Sequence, residues 1–246
     1  MLLSVVIPAY NEKAHLPETI SSYYACLKNE KIPHELLVIN DNSSDDSQEV
    51  LEELQLTIPT LNHITNSPPH NGFGFAVRKG LENFKGDCVA IVMADLSDDP
   101  ADLVTFYNTM LAENLDCVFG SRFIKGATIN NYPWLKMRIN RIANNLVRVV
   151  FGIRYNDCTN AFKLYKRHTI EGLKPFLSPH FNLTLELPLK AIVRGYQYKV
   201  LPNSWNNRKH GTSNLKIREM GSRYFFILLY CLIEKFFAKG DFKKKW

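Results

Sequence analysis

Residues 89–100 read VAIVMADLSDDP. The run 89–93 is continuously apolar, the pattern of a strand buried on both faces of a parallel sheet. It ends in three carboxylates, Asp95, Asp98 and Asp99, followed by Pro100. Asp99 suits a helix N-cap and Pro100 the first helical position, so Asp98 and Asp99 read first as the start of a helix. Asp95 reads differently. An acid at the C-terminal tip of a buried strand lies where open α/β sheets bind their ligands. There it can hold a divalent cation, and the cation a diphosphate.

Upstream, residues 2–7 (LLSVVI) predict a buried strand, and 8–12 (PAYNE) a loop. A helix is expected over 13–28, with apolar spacing at Leu16, Ile20, Tyr23, Tyr24 and Leu27. A second strand, 35–40, runs into the capping cluster Asp41-Asn42-Ser43-Ser44-Asp45-Asp46 and a short helix to about residue 54. A weak strand at 63–66 precedes a glycine-bearing loop, 68–74, and a helix to about residue 84. After the central strand come a helix over 100–113 and a strand over 116–120. This alternation with short connections predicts a parallel sheet wrapped by helices.

The second half is less regular. Residues 134–151 predict a long helix with a basic face of Lys136, Arg138, Arg141 and Arg148, 182–194 another helix, and 196–204 an alternating strand. The last predicted helix, 215–239, holds ten consecutive uncharged residues, 224–233. That is about 15 Å of helix, half of a hydrocarbon core of about 30 Å. It reads as a helix lying in a membrane interface, against the plainer reading of a helix packed on the sheet with a solvated basic tail.

Charge supports that division. The 246 residues carry a net +6, yet residues 207–246 alone hold ten Lys and Arg against three acids. The body is nearly neutral and the tail is basic, which excludes a chain-wide nucleic-acid footprint. Five widely spaced cysteines without a C-x-x-C pair argue against disulfides or a zinc site and for a reducing compartment. The first residues lead straight into a strand without a basic n-region, so no signal peptide is expected.

If the sheet is parallel, four strand-end groups converge on one crevice: residues 8–12, Asp41, Asp95, and Gly120-Ser121-Arg122. Glu12 and Asp41 suit hydrogen bonding to a base or ribose, Asp95 a metal, and Arg122 a phosphate. Gly72 and Gly74 do not form a dinucleotide-binding G-x-G-x-x-G after the first strand, and no P-loop is present. His15, His34, His63, His168 and His180 read as surface or capping residues, whereas His70 and His210 fall in candidate site loops. Glu186, on an otherwise apolar helix, either binds an arginine or faces solvent. Trp205 reads as strand-end packing or as a lipid contact.

Taken together, SVVIPAYNE, the D-N-S after the second strand, NGFGFAVRKG, ADLSDDP and FGSRF resemble the family 2 inverting nucleotide-sugar glycosyltransferases, of GT-A fold. DCTNAFK at 157–163 and NRKHGTS at 207–213 are similar to the dolichol-phosphate mannose synthase branch. The resemblance implies a hexose, mannose or glucose, moved with inversion from a GDP- or UDP-sugar to a polyprenyl phosphate. It further implies Mg²⁺ or Mn²⁺ and a peripheral location on the cytoplasmic face of a membrane. A membrane-embedded partner subunit is left open. The implied domains are a catalytic unit, 1–214, and a basic amphipathic membrane-associating helix and tail, 215–246.

Carried over by position, Pro8, Ala9, Tyr10, Glu12, Asp41, Lys79, Ala94 and Asp95 would bind the donor. Asp95 and Ser97 would hold the metal, and Asp95, Arg122, Asp157 and Arg208 are the expected catalytic set. Lys136, Arg141, Arg208 and Ser213 would meet the acceptor phosphate. The sequence departs from the family at Met93, which replaces the first acid of D-A-D; at Ser97, where relatives often carry glutamine; and at Asn214, where some carry lysine. Two alternatives stand beside this reading. One is transfer to a saccharide or other hydroxyl acceptor, for which Asp98, Asp99, Asp157 and Glu186 are candidate bases. The other is a non-catalytic scaffold recruited to a membrane by the basic tail.

Overall fold

The computed structural model describes residues 1–207, 217–238 and 240–242. Arg208 and Ser213, and the expected domain boundary at 214, lie outside the described residues. Seven strands form one sheet in the order β3-β2-β1-β4-β7-β5-β8. They are β1 (Leu3–Ala9), β2 (His34–Asn40), β3 (Leu61–Thr65), β4 (Cys88–Ile91), β5 (Cys117–Ser121), β7 (Lys163–Lys166) and β8 (Tyr198–Pro202). The first three crossovers pass through α1 (Leu16–Asn29), α2 (Ser47–Thr57) and α3 (Phe73–Asn83), and α4 (Pro100–Ala112) links β4 to β5.

The period-2 alternation hidden in the apolar runs becomes visible in the packing. Leu3, Val5, Ile7 and Ala9 of β1, with Ala90 of β4, face Leu16, Ile20, Leu103 and Phe106 of α1 and α4. Val6, Val89 and Ile91 face the opposite layer, with Val77, Leu81, Leu185 and Leu187. A strand buried on both faces has no polar positions to spare, which is why its sequence reads as a continuous run.

One strand departs from the expected parallel sheet. β7 runs antiparallel between β4 and β5. Its four residues, KLYK, carry two lysines, and Lys163 is buried beneath the sheet's ligand-binding end. The long helix α5 (Trp134–Phe151) brings the chain back to this slot from the other end. A small two-stranded sheet pairs β6 (Ile129–Asn130) with β9 (Trp205–Asn206). It lays residues 205–206 over the end of β4, where the Asn206 N–H donates to the Ser97 carbonyl at 2.8 Å.

Behind the sheet lie α6 (Arg167–Gly172), α7 (Leu183–Val193) and α8 (Ile217–Phe237). α8 packs on α7 through buried Ile227 and Cys231. Arg194 donates to both oxygens of Glu234, at 2.7 and 2.9 Å. The opposite side of α8 is solvent-facing. No helix among the described residues is long and apolar enough to cross a membrane.

Candidate active site

Strand order reverses direction at β1, with β2 on one side and β4 on the other, so a crevice opens beyond their carboxyl ends. Two hollows occupy it and share a wall. The first, about 390 Å³, is lined by Pro8, Ala9, Tyr10, Glu12 and Asp41, all expected to bind the donor, together with Gly72, Phe73, Met93 and Phe181. The second, about 220 Å³, is lined by Asp95, Ser97, Asp98, Arg122, Lys136, Asn160 and Trp205, again with Met93 and Phe181. A third hollow, about 340 Å³, adjoins the second through Asp95 and Asp98 and reaches Glu18 and Asp99.

The first hollow is shaped by loops pinned to one another. Asp41 accepts from the Asn66 amide (2.8 Å) and from the Gly72 N–H (2.7 Å). Both its oxygens are thereby engaged in holding the loop that roofs the hollow. Gly72 has a φ of 124°, which glycine alone adopts without strain. At Gly74 a Cβ would press on the Pro179 and His180 backbone, the latter at 2.5 Å. This close approach stacks Phe73 on Phe181, with centroids 4.2 Å apart and planes at 8°. Glu12 Oε2 lies 2.7 Å from His15 Nδ1, and His15, at the N-cap position of α1, is buried beside the site loop.

The second hollow is cationic on one wall. Arg122, at the end of β5, donates from Nε and Nη2 to the two oxygens of Asp157, at 2.8 Å each. Burial lowers the basicity of this guanidinium, but the Asp157 carboxylate outweighs it and the net shift is upward. Asp157 is fully buried behind Arg122 and orients that residue. Lys136, from α5, lines the same hollow. Arg141 does not line it, but its guanidinium lies 5.1 Å from the Phe123 ring, which also carries that of Arg122 at 5.5 Å. Lys79 and Ala94 line neither hollow. The Ala94 carbonyl instead accepts from the Thr19 hydroxyl at 2.7 Å.

Asp95 sits partly exposed in the second and third hollows, one carboxylate oxygen accepting from the Ser97 N–H at 3.2 Å. Among the described residues no group of three or more His, Cys, Asp or Glu is placed to hold a metal ion. Met93 offers only a thioether, a poor ligand for a hard cation. This donor set fits an ion of the Mg²⁺ type, which takes one or two carboxylates from protein and the rest of its shell from substrate phosphates and water. Asp98 is buried, accepts from the Asn203 amide at 3.1 Å, and is pushed up to about 8 by burial, with Arg122 opposing and Asp95 adding to the rise.

Several site residues gave no signal of their own in the sequence. Phe181 divides the two hollows, yet it lies in a proline-flanked loop positioned by Glu186. That acid neither binds a site arginine nor faces solvent. It is fully buried, accepts from the Leu177 and Ser178 N–H groups at 2.7 Å, and pairs with Lys190 at 2.5 Å. The i,i+4 spacing of Glu186 and Lys190 in an apolar helix was the available signal. Trp205, with the Tyr132 ring centroid 4.7 Å away, lines the second hollow instead of packing in the core.

The profile of glycosyl transferase family 2 matches residues 4–173. Polyprenol monophosphomannose synthase of Mycolicibacterium smegmatis is 28% identical over 217 residues, covering 86% of this chain and 80% of that protein. Dolichol-phosphate mannosyltransferase of Pyrococcus furiosus is 27% identical over 220 residues, covering 88% of this chain and 60% of that one. Among solved structures, glucosyl-3-phosphoglycerate synthase from Mycobacterium tuberculosis with Mn²⁺, UDP and glucosyl-3-phosphoglycerate superposes with a TM-score of 0.69. It is 17% identical and covers 95% of this chain and 79% of its own. The same enzyme with Mn²⁺, UDP-glucose and phosphoglyceric acid gives 0.70 at 17% identity, covering 94% and 79%. That likeness shows the GT-A fold. With this sheet, this crevice and a family match across most of its length, the chain belongs to glycosyl transferase family 2 and is a glycosyltransferase.

Proposed function

We propose that the enzyme transfers a hexose, mannose or glucose, from GDP- or UDP-sugar to a polyprenyl phosphate, with inversion, at the cytoplasmic face of a membrane. The observation that carries this reading is the cationic wall of the second hollow: Arg122, fixed by Asp157, together with Lys136. A phosphate acceptor is already anionic at neutral pH and needs no base. It needs cations that hold it beside a second anion, the donor diphosphate. The relatives named for polyprenol and dolichol phosphate substrates support the acceptor class.

In this scheme the nucleoside lies in the first hollow against Tyr10, Asp41 and the stacked Phe73 and Phe181. The sugar passes Met93 into the second hollow. An acceptor phosphate oxygen forms a bond to the anomeric carbon as the bond to the diphosphate oxygen breaks on the opposite face. Configuration inverts, and the electron pair leaves with the nucleoside diphosphate. Asp95, with Ser97 beside it, would hold Mg²⁺ or Mn²⁺, which supplies charge neutralisation at the diphosphate when bound. Arg208 and Ser213 remain candidates for the acceptor phosphate from their motif.

The hydroxyl-acceptor alternative requires a base. Of the four candidate acids, Asp157 is committed to Arg122, Glu186 to Lys190, and Asp99 to capping α4. Asp98 alone of the four lines the second hollow, where burial pushes its carboxyl up to about 8. Turnover of a panel of GDP- and UDP-hexoses with a short polyprenyl phosphate tests the proposal, run alongside Asp98→Asn. Product with the lipid phosphate, retained in the variant, is expected. Product only with hydroxyl acceptors, lost in the variant, would overturn the reading.

A further inference from the structure

The helix α5 buries only Asn144, Val147 and Phe151. Asn144 is the polar one of the three, and its side chain is bound to the loop that follows Asp157. The Thr159 N–H donates to Asn144 Oδ1 at 3.3 Å. A backbone N–H can only donate, so this bond fixes which end of the Asn144 amide faces the loop. The amide nitrogen then donates to Asn140 Oδ1 at 2.6 Å, and its other hydrogen is shared between Thr159 Oγ1 and the Asn140 carbonyl, 3.0 Å from each. The bond to Asn140 Oδ1 fixes that amide in turn. Asn140 Nδ2 donates to Thr159 Oγ1 at 3.2 Å.

A threonine hydroxyl has two lone pairs and one proton. In Thr159 both lone pairs face amide donors from α5, so the hydroxyl is left to act as a donor. Among the described residues the acceptor near its proton is Asn140 Oδ1, 3.4 Å away. That is outside the range of about 2.5–3.0 Å for an O–H···O bond. The same oxygen already holds the Asn144 amide at 2.6 Å. The α5 amides thus satisfy the oxygen of Thr159 and leave its proton without a good protein acceptor.

Thr159 is half-buried and lines the second hollow together with Arg122 and Lys136. Lys136, Asn140 and Asn144 follow at four-residue spacing, so one face of α5 carries the lysine and both asparagines. An anion held by the two cations comes against a hydroxyl that has a proton to give and no lone pair to receive one. A phosphate oxygen suits it. A hydroxyl ligand would find no acceptor there for its own proton. We propose that Thr159 donates a hydrogen bond to a phosphate in the second hollow, with Asn140 and Asn144 as positioning residues that keep its proton available. The phosphate is the acceptor's monoester, an assignment that rests on the function proposed above.

Thr159→Val keeps the shape and removes the proton. With a short prenyl phosphate its acceptor KM should rise about tenfold or more, the loss of one hydrogen bond to a charged group. kcat should change little, because the bond holds the acceptor before and during transfer alike. Affinity for the nucleoside diphosphate with Mg²⁺, measured by calorimetry, should stay at the wild-type level. Thr159→Ser should recover most of the loss. Asn140→Ala should raise the acceptor KM alone and add nothing in the Thr159→Val background, since it acts through the hydroxyl. Melting curves check each fold, and Thr159→Ala repeats the reading with a smaller side chain.

An unchanged acceptor KM in folded Thr159→Val would overturn the assignment. So would a loss of nucleoside diphosphate affinity as large as the loss for the acceptor, which would give the hydroxyl to the donor. A full Asn140→Ala effect on top of Thr159→Val would remove the positioning role. Calorimetry with the prenyl phosphate, its alcohol as control, separates this inference from the proposed function. A wild type that binds no prenyl phosphate refutes both, whereas wild type and Thr159→Val binding it equally refute this inference alone.

Discussion

Arg122 and Asp157 meet through three hydrogen bonds: Nε and Nη2 of the guanidinium at 2.8 Å, and the Arg122 N–H at 3.0 Å. The fork that the sequence assigns to phosphate is largely committed to a carboxylate beneath it. The pair therefore presents a fixed, still charged edge to the hollow. Asp157→Asn keeps the shape and removes the counter-charge. It should cost about 3 kcal/mol of stability, the lower end for breaking a buried pair, and lower kcat about a hundredfold. Melting curves and steady-state kinetics check both. An unchanged kcat in a folded variant would place Asp157 outside the machinery.

Asp95 is the protein's main proposed contact with a divalent ion. EDTA should abolish turnover, and Mn²⁺ or Mg²⁺ should restore it. Asp95→Asn should lose about a hundredfold in kcat/KM without loss of fold. Met93→Asp should lower the metal concentration giving half-maximal rate, because a carboxylate replaces a thioether at the wall between the hollows. Full turnover in EDTA would exclude the ion.

Gly74 lets α3 approach the loop that carries Phe181. Gly74→Ala forces the Pro179–His180 backbone away and parts Phe73 from Phe181. The donor KM should rise about tenfold, equivalent to about 1.4 kcal/mol of binding. Nucleoside diphosphate titration by calorimetry measures the same loss without turnover.

Lys163 is buried and donates to the carbonyls of Cys158, Asn160 and Thr184, and among the described residues it forms no salt bridge. Burial pushes its amine down to about 7 from 10.5. Between those values the unfolded chain holds a proton that the folded chain has released, so stability rises with pH there. Urea unfolding at pH 7, 8 and 9 should show wild type gaining on Lys163→Met by up to about 1.4 kcal/mol per pH unit. A difference that shrinks with pH would refute the assignment.

Much of this protein is legible in its sequence because short-range physics suffices for it. The apolar run before Asp95, the cap at Asp99-Pro100 and the strand-helix alternation announce a sheet that delivers residues to one edge. Residues 8–12, Asp41 and Asp95 then follow from chain order alone, since parallel strands place their C-terminal tips together. Tertiary structure decided what depends on pairs distant in the chain. The antiparallel slot of β7 is set by the long return through α5, and no strand is expected at KLYK from the sequence. Asp157 turns to Arg122, 35 residues away, because a buried charge requires a partner within hydrogen-bond reach, and no local pattern names that partner; Glu186 and Lys190, four residues apart on one helix, are the local exception. The apolar residues of α5 recur with helical period in the sequence, but only the packed fold shows which of its faces the sheet leaves uncovered.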